Sequence, residues 1–163
     1  MNLRTRISRA DGYRQLEMFA DACMELEMLE GQDRMADATL HCRWTIYRDS
    51  ENWLGARSMA AELARRDPKD SEWRTRNAHA VRMNESAEAA LAYLMKDRGA
   101  FEDDAAYQYE IGRYKCLTGE FKGAKAATKK AFELNREYRA KFVEDEDFDA
   151  VWDSFGGTPR GSS

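Results

Sequence analysis

The chain has 163 residues, of which 43% are hydrophobic and 34% are charged, and its formal net charge at pH 7 is −4. This length allows one domain with a substantial core, and the composition is typical of a soluble protein built from amphipathic helices. The negative charge argues against nucleic-acid binding driven by electrostatics, which needs a basic surface. No apolar run approaches the roughly 20 residues that span a bilayer.

The composition also predicts the fold class and the cellular compartment. Two prolines occur, and continuous runs of β-branched residues are missing, so we expect helices and no strands. The N-terminus lacks the apolar segment of a signal peptide. Cys23, Cys42 and Cys116 are odd in number and far apart in sequence, which is typical of reduced thiols. We therefore expect an all-α protein in the cytoplasm.

A period of 34 residues organises most of the chain. Alanines recur in register at this spacing, and an aromatic residue precedes three of them by three positions. The alanines are Ala22, Ala56, Ala90 and Ala124. The period predicts four repeats, about 3–36, 37–70, 71–104 and 105–138, each formed by two helices around a short break.

In the second repeat, Leu40, Trp44 and Tyr47 have the spacing of one helical face. We expect Asp49-Ser50 to form the N-cap region of the partner helix and Asp67-Pro68 to end it.

In the third repeat, Asn84 or Ser86 can cap the second helix. In the fourth, Gly119 is placed to follow the end of the first helix. Ala124 and Ala131 then lie two turns apart on one face of the second helix, where small side chains let another helix approach closely.

The C-terminal residues are predicted to cover the last repeat. We expect a cap over 139–155, with a helix at 137–144 and a short helix or turn at 147–155 folded back on it. The acidic run Glu144–Asp147 is interpreted as a solvated, helix-capping stretch, since a calcium loop would need a glycine at its turn. Residues 156–163 have the composition of a flexible tail.

The repeat residues resemble those of the tetratricopeptide repeat (TPR), in the form of small stand-alone bacterial TPR proteins. The fourth repeat carries the resemblance most fully, through Ile111, Gly112, Gly119, Phe121, Ala124, Ala131 and Leu134. The resemblance implies one domain over residues 1–155, a right-handed α-solenoid of about four helix hairpins with a C-terminal capping helix. Trp44 stands where the family has glycine or alanine, so we expect its hairpin to open or tilt.

The resemblance also implies a non-catalytic protein-interaction module that binds a peptide or protein segment in a concave groove lined by the first helices. The residues assigned to that groove are Arg14, His41, Thr45, Arg48, Arg76, His79, Arg82, Tyr109 and Arg113. Five arginines and no acid in this set favour an acidic or C-terminal peptide. Alternatively, they are ordinary solvated helix charges. The protein's own acidic C-terminal segment can also dock in this groove or in a neighbour's.

Other functions stay open at this stage. A client-holding chaperone resembling the TPR chaperones of bacterial secretion systems fits the length and the acidity. An enzyme or metal protein would have to use His41, His79 and the cysteines, but no common catalytic or metal-binding motif is present, and we predict no cofactor. The tryptophans are interpreted as packing residues, and RNA binding by helical repeats is disfavoured by the negative charge.

Overall fold

The structure, a computed structural model, describes residues 1–155, and every regular element in that range is helical. The predicted all-α class is therefore confirmed, while the predicted tail 156–163 lies outside the described residues. The helices are α1 (Leu3–Gln15), α2 (Phe19–Glu27), α3 (Asp37–Asp49), α4 (Trp53–Arg66), α5 (Ser71–Asn84), α6 (Ala87–Met95), α7 (Ala105–Leu117), α8 (Phe121–Leu134) and α9 (Tyr138–Glu144). Short 3₁₀ helices occupy Gly31–Met35 and Arg98–Phe101, and a longer one occupies Glu146–Phe155.

The 34-residue period of the sequence is also the period of the helices. The odd-numbered helices α1 to α7 begin at residues 3, 37, 71 and 105, and the even-numbered helices α2 to α8 begin at 19, 53, 87 and 121. The alanine of each repeat is the fourth residue of its second helix and is fully buried. The helix starts thus recur with the predicted spacing. The division into four repeats and their stacking into a superhelix stay predictions.

Side-chain caps account for several helix boundaries. Asn52, Ser86 and Asp104 each accept a hydrogen bond from the backbone N–H three residues ahead. The prediction of a cap at Asp49-Ser50 is wrong, because α3 continues through Asp49 and the side chain of Asn52 caps α4 instead. Gly119 follows α7 with φ +85°, the left-handed conformation that glycine adopts readily.

The chain divides into two compact units, Met1–Asn84 and Glu85–Ser163. The prediction of one domain over residues 1–155 stays a prediction. None of the helices within the described range is apolar enough over a sufficient length to cross a membrane.

In the first unit, α1 to α5 enclose two buried clusters. One joins Ala10, Ala22, Leu26 and Ile46 between α1, α2 and α3. The other surrounds Trp44, whose side chain is accommodated by the small residues Ala56 and Ala60 on α4 and Ala80 on α5. The indole therefore occupies space that three alanines leave open on two neighbouring helices.

In the second unit, the C-terminal segment packs against α7 and α8. Phe142 on α9 and Phe148 and Val151 on the last 3₁₀ helix are buried in one cluster with Ala124 and Ala131 of α8. The helix predicted at 137–144 is observed as α9, and the short helix predicted at 147–155 is observed as part of the 3₁₀ helix. The apolar side chains of this segment thus cover the face of α8 on which the two alanines lie.

Candidate peptide-binding surfaces

The predicted groove residues are distributed over both compact units. The first unit contains Arg14 on α1, three residues on α3 and three on α5, while Tyr109 and Arg113 lie on α7 of the second unit. The α3 residues are His41, Thr45 and Arg48, and the α5 residues are Arg76, His79 and Arg82.

In the first unit, two arginines lie against two tryptophans. The guanidinium carbon of Arg76 is 4.8 Å from the ring centroid of Trp44 and 4.6 Å from that of Trp73, and that of Arg48 is 5.0 Å from the Trp44 ring. These distances are those of cation–π contacts. The His41 ring meets Trp73 edge-on at 5.2 Å. We call these five residues the arginine–tryptophan surface.

Helix periodicity and burial explain how these side chains meet. Arg48 follows Trp44 by one turn of α3, and Arg76 follows Trp73 by three residues of α5, so each pair shares a helix face. Trp44 is only 6% exposed and meets Trp73 edge-on with ring centroids 5.5 Å apart. The buried indole of Trp44 therefore provides a fixed support for both guanidinium groups.

These arginines form ion pairs with acidic side chains. The sequence analysis did not assign those acids to the site. Asp49 accepts hydrogen bonds from Arg48 and from Arg14, with the Arg48 Nη2–Asp49 Oδ1 distance at 2.7 Å. Burial acts to raise the pKa of Asp49, but the hydrogen bonds from the two arginines outweigh it and the pKa lies below its ordinary value. Glu72 pairs with Arg76 one helical turn away, a spacing visible in the sequence.

Burial lowers the pKa of His41, and the charges of Arg76 and Arg48 lower it further. The neutral form of its imidazole is therefore favoured beside these arginines.

Three other predicted residues of this unit, Thr45, His79 and Arg82, are not among the five residues of the arginine–tryptophan surface. The Thr45 hydroxyl donates to the His41 backbone carbonyl at 3.1 Å. His79 packs edge-on against Trp53, with ring centroids 5.3 Å apart, and so contacts a different tryptophan from His41. Arg82 lies in the last turn of α5. The structure thus brings together Arg14, His41, Arg48 and Arg76 through shared partners.

In the second unit, the protein's own acidic segment contacts both predicted residues. The Tyr109 hydroxyl donates to Asp145 Oδ2 at 2.8 Å, and Arg113 donates to the same oxygen at 2.7 Å. The Tyr109 ring also lies 5.0 Å from that of Phe148. The Asp145 side chain is 13% exposed, so the interpretation of the acidic run as solvated is wrong at this residue.

Arg113 is surrounded by more carboxylates than it can neutralise. Glu110 Oε1 and Asp147 Oδ2 lie 3.6 and 3.8 Å from Arg113 nitrogens, in addition to Asp145. Burial raises the pKa of Glu110, and the charges of Arg113 and Lys141 only partly offset this effect. The second unit therefore contains a largely buried carboxyl group whose pKa lies above its ordinary value.

Across residues 1–155, the structure places no group of three or more His, Cys, Asp or Glu side chains where they could hold a metal ion. Cys42 packs beside the α1–α2–α3 cluster, where burial raises the pKa of its thiol to about 11. Cys116 is buried in the cluster of the second unit.

Comparison with known proteins adds no assignment to this geometry, since the sequence matches no protein-family model and no curated protein.

Proposed function

We propose that the protein is a TPR-like, non-catalytic interaction module that binds an acidic segment of a partner protein at the arginine–tryptophan surface. One observation carries the proposal: two arginines rest on the ring faces of a tryptophan that is itself buried. The side chains of Arg48 and Arg76 are nevertheless 41% and 30% exposed. They are therefore both held in place and accessible to a ligand.

A guanidinium that lies against an aromatic ring keeps the N–H groups at its edge for hydrogen bonding, and its planar fork fits a carboxylate. Because the rings already restrict each arginine, less side-chain entropy is lost on binding. A partner that carries both carboxylates and aromatic side chains would engage the arginines and the exposed parts of Trp73 and His41 together.

The acids that now pair with the arginines do not prevent such binding. The Glu72 side chain is 55% exposed, and an exposed ion pair contributes only about 0–1 kcal/mol to stability. A carboxylate of the partner can therefore replace or join Glu72 at small cost. Asp49 is 25% exposed and forms ion pairs with both Arg48 and Arg14. Its single negative charge is shared between two arginines, so it neutralises their positive charge only in part.

The second unit illustrates the same chemistry within the chain itself. Asp145 is held by one arginine and one aromatic hydroxyl, and Phe148 packs on the ring of that aromatic residue. The sequence around it, residues 144–155, is therefore a suitable probe for the open surface of the first unit.

The test is fluorescence anisotropy with a labelled synthetic peptide, EDEDFDAVWDSF, which has the sequence of residues 144–155. The double variant Arg48→Glu with Arg76→Glu is expected to weaken binding at least about tenfold, a loss typical of central interface arginines. The matched control is Arg65→Glu with Lys69→Glu, which makes the same charge change at exposed positions of the same unit. Equal weakening by both pairs would show attraction by net charge alone and would refute the proposed surface.

A second candidate, a client-holding chaperone, is favoured by one separate observation. Met24 in the middle of α2 is 58% exposed, and the residues that flank the helix, Met18 and Met28, are 42% and 52% exposed. Flexible, polarisable methionines are common on surfaces that bind varied apolar segments. Suppression of the heat-induced aggregation of citrate synthase, lost on replacing the three methionines by glutamine, would support this alternative. If the protein did not suppress aggregation, the chaperone alternative would be refuted and the peptide-binding proposal would be unaffected.

A further inference from the structure

A cavity of about 450 Å³ lies among α8, α9 and the C-terminal 3₁₀ helix, in the second unit. Its walls are largely aromatic and include Phe132, Phe142, Trp152 and Phe155. Pockets that bind small ligands in proteins commonly have volumes of about 300–1,000 Å³ and apolar walls with a few polar groups. We call this cavity the aromatic pocket.

The aromatic rings of the pocket are held by contacts with one another. Phe142 is 3% exposed and stacks on Trp152 with ring centroids 5.4 Å apart. Phe155 lies 5.0 Å from Phe142 and 5.8 Å from Phe132. Val143, also on the lining, is 53% exposed, so apolar surface at the pocket is left uncovered by residues 1–155.

Two cations flank this apolar surface. Lys129 on α8 and Arg139 on α9 line the pocket together with a single acid, Glu133. The Arg139 guanidinium carbon is 5.9 Å from the centroid of Phe132. Within residues 1–155 neither cation forms an ion pair, whereas Arg48, Arg76 and Arg113 all do.

From this combination we infer that the aromatic pocket binds a small molecule that joins an apolar body to one carboxylate. The rings supply a binding surface for the apolar body, and the excess of positive charge at the pocket complements the carboxylate. A neutral or cationic ligand of the same size would leave Lys129 and Arg139 unneutralised. This inference concerns residues other than those of the arginine–tryptophan surface and does not depend on the proposed function.

The test is isothermal titration calorimetry of the full-length chain with dodecanoate and with naphthalene-2-carboxylate, which distinguish an aliphatic from an aromatic body. Dodecyltrimethylammonium, used below its micellar concentration, is the probe of opposite charge. We expect 1:1 binding of at least one carboxylate and at least about tenfold weaker binding of the ammonium probe. In two-dimensional NMR, the carboxylate should shift the indole N–H resonance of Trp152, assigned with Trp152→Phe.

The double variant Lys129→Glu with Arg139→Glu is expected to abolish the preference for the carboxylate. The matched control, Lys122→Glu with Arg136→Glu, makes the same charge change at exposed positions outside the pocket and should keep it. Circular dichroism checks that both double variants fold. Val143→Asp, at a position that is already exposed, provides an independent variant that should weaken carboxylate binding.

Three results would overturn the inference. One is equal affinity for the carboxylate and the ammonium probe, which would show non-specific uptake of amphiphiles. Another is an equal loss of affinity for the carboxylate in the double variant at residues 129 and 139 and in the control at residues 122 and 136. The last is binding only by a chain that ends at Phe155, which would identify residues 156–163 as the occupant.

Discussion

Gly112 on α7 lies directly against Thr128 on α8: a Cβ at residue 112 would be 3.2 Å from the backbone nitrogen of Thr128 and 3.3 Å from the carbonyl oxygen of Ala124. The fully buried Thr128 hydroxyl donates to that same carbonyl at 2.7 Å. In the 34-residue register, Gly112 and Thr128 correspond to Trp44 and Ala60. In the fourth repeat the first helix contributes the smaller residue of this pair, Gly112, whereas in the second repeat it contributes the larger one, Trp44. The two hairpins therefore pack their helices differently.

The first prediction concerns this contact. Gly112→Ala should destabilise the protein by about 1–3 kcal/mol, because the new methyl group meets backbone atoms of α8 that cannot move independently. This loss should occur although alanine has the higher helix propensity, by about 1 kcal/mol. Urea unfolding followed by circular dichroism measures the change.

Gly12→Ala is the matched control for Gly112→Ala. Residue 12 lies in α1, and an added Cβ there meets no atom within 4 Å. We expect it to stabilise the protein by about 0.5–1 kcal/mol. If both substitutions stabilised, the close approach of α7 and α8 would be disproved.

The second prediction concerns Trp44, the large member of the contact in the first unit. Trp44→Ala should cost about 3–5 kcal/mol, because it leaves a cavity lined by alanines that cannot fill it. Trp44→Phe should cost less than half as much. The buried Nε1 of Trp44 has no hydrogen-bond partner among residues 1–155, so its removal breaks no hydrogen bond and leaves no other polar group unsatisfied. Urea unfolding of both variants gives the comparison.

The control for Trp44 is Leu54→Ala on the adjacent helix α4. Leu54 is 66% exposed, so its truncation should change the free energy of unfolding by no more than about 0.5 kcal/mol. Equal costs for Trp44→Ala and Trp44→Phe would contradict the packing role of the indole.

The third prediction tests whether the C-terminal segment is needed for stability. Phe148 is fully buried against Tyr109 and Phe142, so Phe148→Ala should destabilise the second unit by about 3–5 kcal/mol. Val143→Ala, at a position 53% exposed, should have little effect. Differential scanning calorimetry measures both. A variant at residue 148 as stable as the parent protein would show that the segment only docks on α7 and α8 and does not stabilise them.

The fourth prediction is a pH dependence caused by Glu110. Its side chain faces Arg113 on its own helix, Lys141 on α9, and Asp145 and Asp147 in the C-terminal segment. Burial raises its pKa above the ordinary value of 4.5, so the folded state holds this proton more tightly than the unfolded state. The contribution of Glu110 to stability is complete below pH 4.5 and is lost as the pH rises through the pKa that Glu110 has in the folded protein.

Glu110→Gln removes this titration, so the variant should gain stability relative to the parent protein as the pH increases from about 4 to about 8. Urea unfolding of both proteins over that range measures the difference. Glu133→Gln, at an exposed position, controls for the loss of one negative charge. A difference between Glu110→Gln and the parent protein that stays constant with pH would show that folding leaves the pKa of Glu110 unchanged, and would contradict the prediction.

Sequence alone was sufficient to predict the repeated helices. Helix starts follow local patterns, namely small residues in register, caps such as Ser86, and turn residues such as Gly119. The misplaced cap before α4 arose because Asp49, Ser50 and Asn52 are all good capping residues. Which of them caps depends on how far α3 continues, and that is decided by the packing of the helix.

The candidate surfaces were predicted only in part, because they depend on contacts between residues far apart in the chain. The arginines of α3 and α5 followed from repeat register, but their support by Trp44 required the fold. Likewise, docking of the acidic C-terminal segment in the groove was one alternative from the sequence, but the pairing of Asp145 with Arg113 across 32 positions required the fold. The sequence by itself determined the helices and their period, because short-range backbone and side-chain preferences specify both. Tertiary structure alone decided which charges are paired, buried or left accessible, because these depend on distances that only packing sets.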